Sequence, residues 1–302
     1  MSRIGWCLAW LSIIAATPAF AWRSQGHMAT GLIAYDRLAA RDPFAIAAID
    51  ALIAQHPDRA RFDVALAGLA GAERERRLFA LIARWPDDIR GTPYDHPHWH
   101  HQLRVVVGWS ILRGPRFGAA DHAFRRNLTL LRDPGADPAQ RAIALCWLFH
   151  VTGDMHQPLH AGHRMDGRFP LTDYAGTKGW VRRIADAAPE TLHHFWDTAA
   201  DRAEEDVAGA EAIAAAVEAN PPAVEEEGAD LVAAYRSWVK ESERAAADTA
   251  YPDIMEAEAR RPEKAGLLSQ DYVARARSLA ERRIGQAGER LGDLLAAVFP
   301  RG

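Results

Sequence analysis

Most of the chain's 13 histidines fall between positions 96 and 194, many of them beside carboxylates. The densest group is His150-Val-Thr-Gly-Asp154-Met-His156-Gln-Pro-Leu-His160. On a helix His150 and Asp154, four apart, share a face, and Pro158 ends the helix so that His160 returns from the following loop. Imidazole and carboxylate donors together suit zinc. A second group, Leu192-His193-His194-Phe195-Trp196-Asp197, again places His193 and Asp197 on one helix face. A third runs Trp85-Pro-Asp87-Asp-Ile-Arg90 and then His96-Pro-His98-Trp99-His100-His101. Asp87 and His100 converge if the intervening loop folds back, although the sequence alone does not choose among the four histidines. The fourth is Trp22-Arg-Ser-Gln-Gly-His27. Cleavage after Ala21 would free the α-amine of Trp22, and an amine with its own carbonyl oxygen forms a five-membered chelate that His27 can complete.

That cleavage is expected from the leader. Residues 1–21 carry Arg3, an apolar run over 4–16 too short to span a bilayer comfortably, and a small-x-small Ala19-Phe20-Ala21 site. The protein is therefore expected to be periplasmic or secreted, with no membrane anchor once the signal is removed. Cys7 leaves with the leader and Cys146 remains alone, so no intramolecular disulfide can form.

The elements that must hold these groups read as helices, around 24–40, 43–54, 73–83, 119–132, 138–153, 208–218, 228–248 and 269–298. Val105-Val106-Val107 is the best strand candidate. Two stretches, 84–118 and 161–190, are broken by Gly and Pro and read as long loops beside the histidine groups. A single all-α domain over 22–302 is expected. With 36 basic and 40 acidic residues the net charge is -4, so no basic duplex-binding surface is indicated. Positive charge for a nucleic acid would come from metal ions.

Taken together, the chain resembles the trinuclear zinc single-strand nucleases, the S-one/P-one family that includes mung bean nuclease and is related to bacterial zinc-dependent phospholipases C. The resemblance rests on Trp22 with His27, on W-x-D-x-x-R at 85–90, on Trp99-His100, on the 150–160 string and on L-H-x-x-W-D at 192–197, with weaker matches over 238–251 and 287–295. It implies three zinc ions: one on Asp87, His100, His150 and Asp154; one on His160, His193 and Asp197; and one on the amine and carbonyl of Trp22 with His27 and a shared Asp154. The implied activity is hydrolysis of single-stranded DNA and RNA to 5′-nucleotides, with 3′-nucleotidase activity and no stable protein partner. Two zinc ions about 4 Å apart share and activate a water for in-line attack on phosphorus, and a third offsets charge on the leaving 3′-oxygen. Asp87 is the candidate to orient that water. Arg90 reaches the phosphate, anchors Asp87 or forms a loop salt bridge. His101, Phe169 and Trp99 are candidate stacking surfaces for an unpaired base, with core packing the alternative for Trp99.

The chain departs from the family pattern in places. The family's Gly-Gly-Asn stretch is replaced in a region reading Asp166 through Gly176, Thr191 precedes Leu192-His193, and His101 and Leu103 stand where fungal members carry base-contacting groups. A zinc phospholipase C and a non-catalytic zinc-binding protein are the competing readings. The roles of His96, His98 and His156 stay open.

Overall fold

The computed structural model describes residues 22–108, 116–224, 228–254 and 256–300, so the leader over 1–21 lies outside the described residues. Eleven α-helices dominate them, as the apolar spacing of the sequence leads one to expect. They are α1 Ser24–Arg41, α2 Pro43–Ile53, α3 Arg59–Ala65, α4 Gly71–Asp88, α5 Ala120–Arg132, α6 Pro138–Asp154, α7 Pro158–Ala161, α8 Leu192–Asp197, α9 Asp206–Ala219, α10 Leu231–Ala245 and α11 Gln270–Val298. None of these helices is long and apolar enough to cross a membrane.

Two helices are buried around their whole circumference, a pattern of central rather than surface elements. In α1 every residue from Gln25 to Tyr35 is buried, and in α6 every residue from Ala144 to Asp154. α1 stands between two hydrophobic clusters. Its Ala34, Tyr35 and Leu38 join Phe79, Trp85, Trp147 and Phe149, while its Met28, Ala29 and Leu32 join Trp196, Ile213, Tyr272 and Ile284. α4, α9 and α11 pack against it. The α1–α4 approach is so close that a Cβ on Gly31 would lie 2.3 Å from the Phe79 carbonyl oxygen. Gly31→Ala should therefore cost about 1–3 kcal/mol by overpacking. A urea unfolding midpoint equal to that of the parent protein would contradict this.

The strand candidate at 105–107 forms, within a longer β1 Gln102–Gly108. β1 pairs antiparallel with β2 Phe117–Gly118 and parallel with β3 Gly162–Met165. The parallel pairing ties the residues after His100 to those after His160. A second ribbon pairs β4 Trp180–Val181 with β5 Glu190–Thr191, immediately before α8.

One expectation is corrected. The loop read from residue 84 onward begins later, because α4 continues through Pro86 to Asp88. Proline removes one helical donor but tolerates a last turn held by packing. Trp85 provides that packing, fully buried with its indole N–H donating to Asp58 Oδ2 at 2.9 Å. Asp87 is thus presented from a helix end.

Candidate metal centre

Four elements deliver carboxylates and imidazoles to one buried volume. His27 comes from the first turn of α1 and Asp87 from the last turn of α4. His100 ends a 3₁₀ turn, Pro97–His100, and His150 and Asp154 come from the last turns of α6. His27 Nε2 lies 3.4 Å from Asp154 Oδ1 and 3.9 Å from Asp87 Oδ2. His100 Nδ1 is 3.2 Å and His150 Nε2 3.4 Å from Asp154 Oδ2, and His150 Nε2 is 3.8 Å from Asp87 Oδ1. Alongside, His160 Nε2 is 3.9 Å from Asp197 Oδ1, and His193 Nε2 is 3.5 Å from Asp197 Oδ2. His160 Nδ1 is 3.6 Å from Asp154 Oδ1, which places Asp154 between the two groups.

Most of these spacings are too long for hydrogen bonds. They match the edges of a tetrahedron around an ion with ligands at about 2.0–2.2 Å, which measure roughly 3.3–3.6 Å. The closest contact is His150 Nε2 to His100 Nδ1 at 2.9 Å. Both oxygens of Asp154, both ring nitrogens of His27 and Nε2 of His100 are buried without a hydrogen-bond partner. Leaving so many polar atoms unpaired is costly unless a cation satisfies them. Burial holds the pKa of His27 and His100 well below the usual value and lowers that of His150, so these imidazoles are neutral and able to ligate. Burial, with Asp87 nearby, pushes the Asp154 carboxyl well above its usual range. The donor set therefore fits divalent metal.

The ligands are held from behind. His150 Nδ1–H donates to Ala83 O at 2.8 Å, His193 Nδ1–H to Ala175 O at 2.8 Å, and His160 Nδ1–H to His100 O at 2.5 Å. A carbonyl only accepts, so each Nε2 carries the lone pair that faces the centre. Gln157 was given no role by the sequence, yet its Nε2 donates to Asp197 Oδ1 at 2.7 Å. Its Oε1 accepts from Leu159 N as the cap of α7. Thr191 caps α8 by accepting from His194 N at 3.1 Å, so it starts the turn on which His193 and Asp197 align.

The C-terminal carbonyls of α6, the helix that carries Asp154, are almost fully engaged. His156 Nδ1–H donates to Thr152 O at 2.7 Å, the Trp22 indole N–H to Gly153 O at 3.1 Å and Ser242 Oγ to Met155 O at 2.6 Å. Arg283 Nε donates to His156 O at 3.2 Å, and Arg290 Nη1 to His156 Nε2 at 2.9 Å. His156, left open by the sequence, thus braces α6 against α11. Gly153 is small for a reason: a Cβ there would lie 2.9 Å from His27 Nδ1.

A buried assembly of these histidines and aspartates at these positions is the constellation that the sequence resemblance implied. The S1/P1 Nuclease family model matches residues 22–300. The chain belongs to the S1/P1 nuclease family. It is also similar to Endonuclease 2 of Arabidopsis thaliana, 28% identical over 174 residues, covering 52% of this chain and 51% of that protein. The chain thus spans about half the length of this curated relative.

Other residues singled out in this S1/P1 family member fall as follows. Arg90 Nη2 donates to Asp87 Oδ1 at 2.7 Å, from a partly exposed position at the edge of the centre. His101 is half-buried, and burial followed by the charges of His98, His193 and Arg90 lowers its pKa to about 4. Its ring is therefore neutral near pH 7 and close to the centre. Trp99 stacks on His96 at 3.8 Å and meets Trp147 edge-on, so the packing alternative describes it, and His96 is its partner. His98 is exposed beside His101.

Phe169 requires a correction. It is 3% exposed, packed beside the Arg164 guanidinium at 4.7 Å from its ring centroid, and a ring so buried is not offered to a base. Tyr174, which the sequence reading did not select, is the exposed ring here, at 55%. Tyr174, Ala175 and Gly176 all have positive φ, 50°, 57° and 82°. This left-handed turn aims Ala175 O at His193 and leaves Tyr174 exposed.

Proposed function

We propose that this chain is a zinc-dependent phosphodiesterase that cleaves single-stranded DNA and RNA to 5′-nucleotides and removes phosphate from 3′-nucleotides. The observation that carries this reading is Asp154, whose two unpartnered, buried oxygens face His27 on one side and His100 and His150 on the other. A carboxylate so placed suits a ligand shared between ions. Three zinc ions would be held by Asp87, His100, His150 and Asp154; by His160, His193 and Asp197; and by the amine and carbonyl of Trp22 with His27 and Asp154. Zinc bound there lowers the pKa of water towards neutrality, polarises the phosphoryl oxygens and stabilises the leaving 3′-oxygen.

The protein groups act around that chemistry. Asp87, fixed by its bond from Arg90, orients the attacking water and accepts its hydrogen bond. Arg90, at the edge of the centre, brings positive charge towards a non-bridging phosphoryl oxygen. His101 and Tyr174 flank the approach and stack on an unpaired base. The centre is recessed, which favours a splayed strand over a stiff duplex. Trp22 is anchored through its indole on Gly153, next to Asp154, and removal of the leader with export would be the condition for its amine to hold the third ion.

The test uses protein beginning at Trp22 and loaded with zinc, offered single-stranded oligonucleotides and, separately, phosphatidylcholine vesicles. Release of 5′-nucleotides that EDTA stops is expected. Hydrolysis of the vesicle lipid alone would assign a phospholipase C, and bound zinc without either activity would make the centre non-catalytic. Protein retaining residues ahead of Trp22 should bind one zinc fewer by metal analysis, because a peptide nitrogen is a poor ligand; full occupancy would remove the terminal amine from the site.

A further inference from the structure

The turn that orients His193 leads directly into a cationic ribbon. Trp180 N donates to Ala259 O at 2.7 Å and Ala259 N to Trp180 O at 2.9 Å, an antiparallel bridge. Because the two segments run antiparallel, Lys178 and Arg261 follow at the same end of this bridge, one on each segment. Both are exposed, and Arg261 has extended backbone. The 3₁₀ turn Pro262–Lys264 packs against β4 and adds exposed Lys264. Lys178 and Lys264 are two of the chain's three lysines, so the ribbon concentrates a residue type the chain hardly uses.

Elsewhere arginines are largely neutralised, as in Arg37 with Glu289 and Asp293, Arg76 with Asp36, and Arg202 with Glu281. Here no carboxylate pairs with Lys178, Arg261 or Lys264 among the described residues. Glu258, the acid nearest the bridge, is engaged by buried Arg164, and Glu256 and Glu263 remain the exposed acids of the segment. Lys178 Nζ instead lies 3.9 Å from the centroid of the exposed Tyr174 ring, and half-buried Trp180 forms the bridge from which the cationic segments extend. Aromatic rings interleaved with unpaired cations suit an unpaired strand, whose bases stack while its phosphates are neutralised.

We propose that Lys178, Arg261 and Lys264 form a subsite for the backbone phosphates of the single strand flanking the scissile bond. The subsite makes a polynucleotide, rather than a mononucleotide, the preferred substrate. It rests on the nuclease reading of the metal centre and places the strand's exit on the Tyr174 side. Each cation that contacts a phosphate displaces counterions, so binding through this ribbon is salt-dependent.

The test compares zinc-loaded wild type with the Arg261→Ala/Lys264→Ala double variant, both changes on exposed side chains. The binding probe is a fluorescein-labelled, phosphorothioate-linked single-stranded 12-mer titrated at several salt concentrations. Hydrolysis of an ordinary 12-mer and of a 3′-mononucleotide is read in parallel. The variant should bind the 12-mer several-fold more weakly and lose about 0.7 of salt slope per contact removed. Its ratio of 12-mer to mononucleotide kcat/KM should fall. Arg261→Glu should weaken 12-mer binding further. Unaltered affinity and salt slope in both variants would overturn the subsite. The binding arm reads the subsite even if neither substrate is hydrolysed, so its failure and that of the nuclease reading are separable.

Discussion

Asp154→Asn should abolish phosphodiester hydrolysis, with a loss on the order of 10³-fold or more, comparable to dismantling a main electrostatic support of the transition state. It should also remove zinc from two of the three positions, because Asp154 faces His27 as well as His100 and His150. The physical contrast lies in the metal-free proteins. Burial penalises the Asp154 carboxylate and no hydrogen bond compensates it. Burial holds this carboxyl uncharged when no cation is bound, and an amide of the same shape replaces it at little cost. The metal-free variant should therefore melt no lower than metal-free wild type, although the zinc-treated variant melts well below zinc-loaded wild type. An active, zinc-replete Asp154→Asn protein would sink the assignment of this residue. A metal-free variant that melts far lower would mean that Asp154 supports the fold directly.

Zinc removal should have the other large effect. Ligand that binds only the folded state stabilises it by about 4 kcal/mol per site when free metal is 1,000 times its dissociation constant. For a chain of this size each kcal/mol moves the melting temperature by roughly 2–4 °C. Chelation by EDTA should thus lower the melting temperature by on the order of 10 °C or more, and restored zinc should recover it. Two features add to the expectation: neutral His27 and His150 rings stacked 3.9 Å apart, and a fully buried Asp154. Without metal, hydration of these groups favours opening of the α1–α6 contact. An unchanged melting curve after demonstrated metal loss would show that packing alone closes the centre.

Much of the centre could be read from spacing because helix periodicity carries it. His150 with Asp154, and His193 with Asp197, are i, i+4 pairs, and the structure holds both pairs on helices. The return of His160 after Pro158 likewise follows from local chain chemistry. The choice among four loop histidines was not readable, because it depends on which side chain a 3₁₀ turn directs inward; the structure directs His100. Asp87 was found by its motif but misplaced in a loop, since the tertiary anchoring of Trp85 that carries α4 past Pro86 leaves no local signal. That Phe169 is buried and Tyr174 exposed was hidden for a similar reason. Phe169 is buried beside Arg164, which is itself held by Glu258 far along the chain, while three successive positive φ angles accompany the exposed Tyr174. Non-glycine residues seldom adopt that conformation, so sequence gives little warning of it. Gln157 and the carbonyls of Ala83 and Ala175 were equally invisible, because backbone acceptors carry no residue-type signature.

The central claim is that these nine residues assemble a trinuclear zinc centre around Asp154. Anomalous diffraction at the zinc edge, on crystals of protein beginning at Trp22, tests it most directly. Three peaks are predicted: one bounded by Asp87, His100, His150 and Asp154, one by His160, His193 and Asp197, and one by the Trp22 amine, His27 and Asp154. Peaks absent from this volume, or a single ion with Asp154 unligated, would contradict the account.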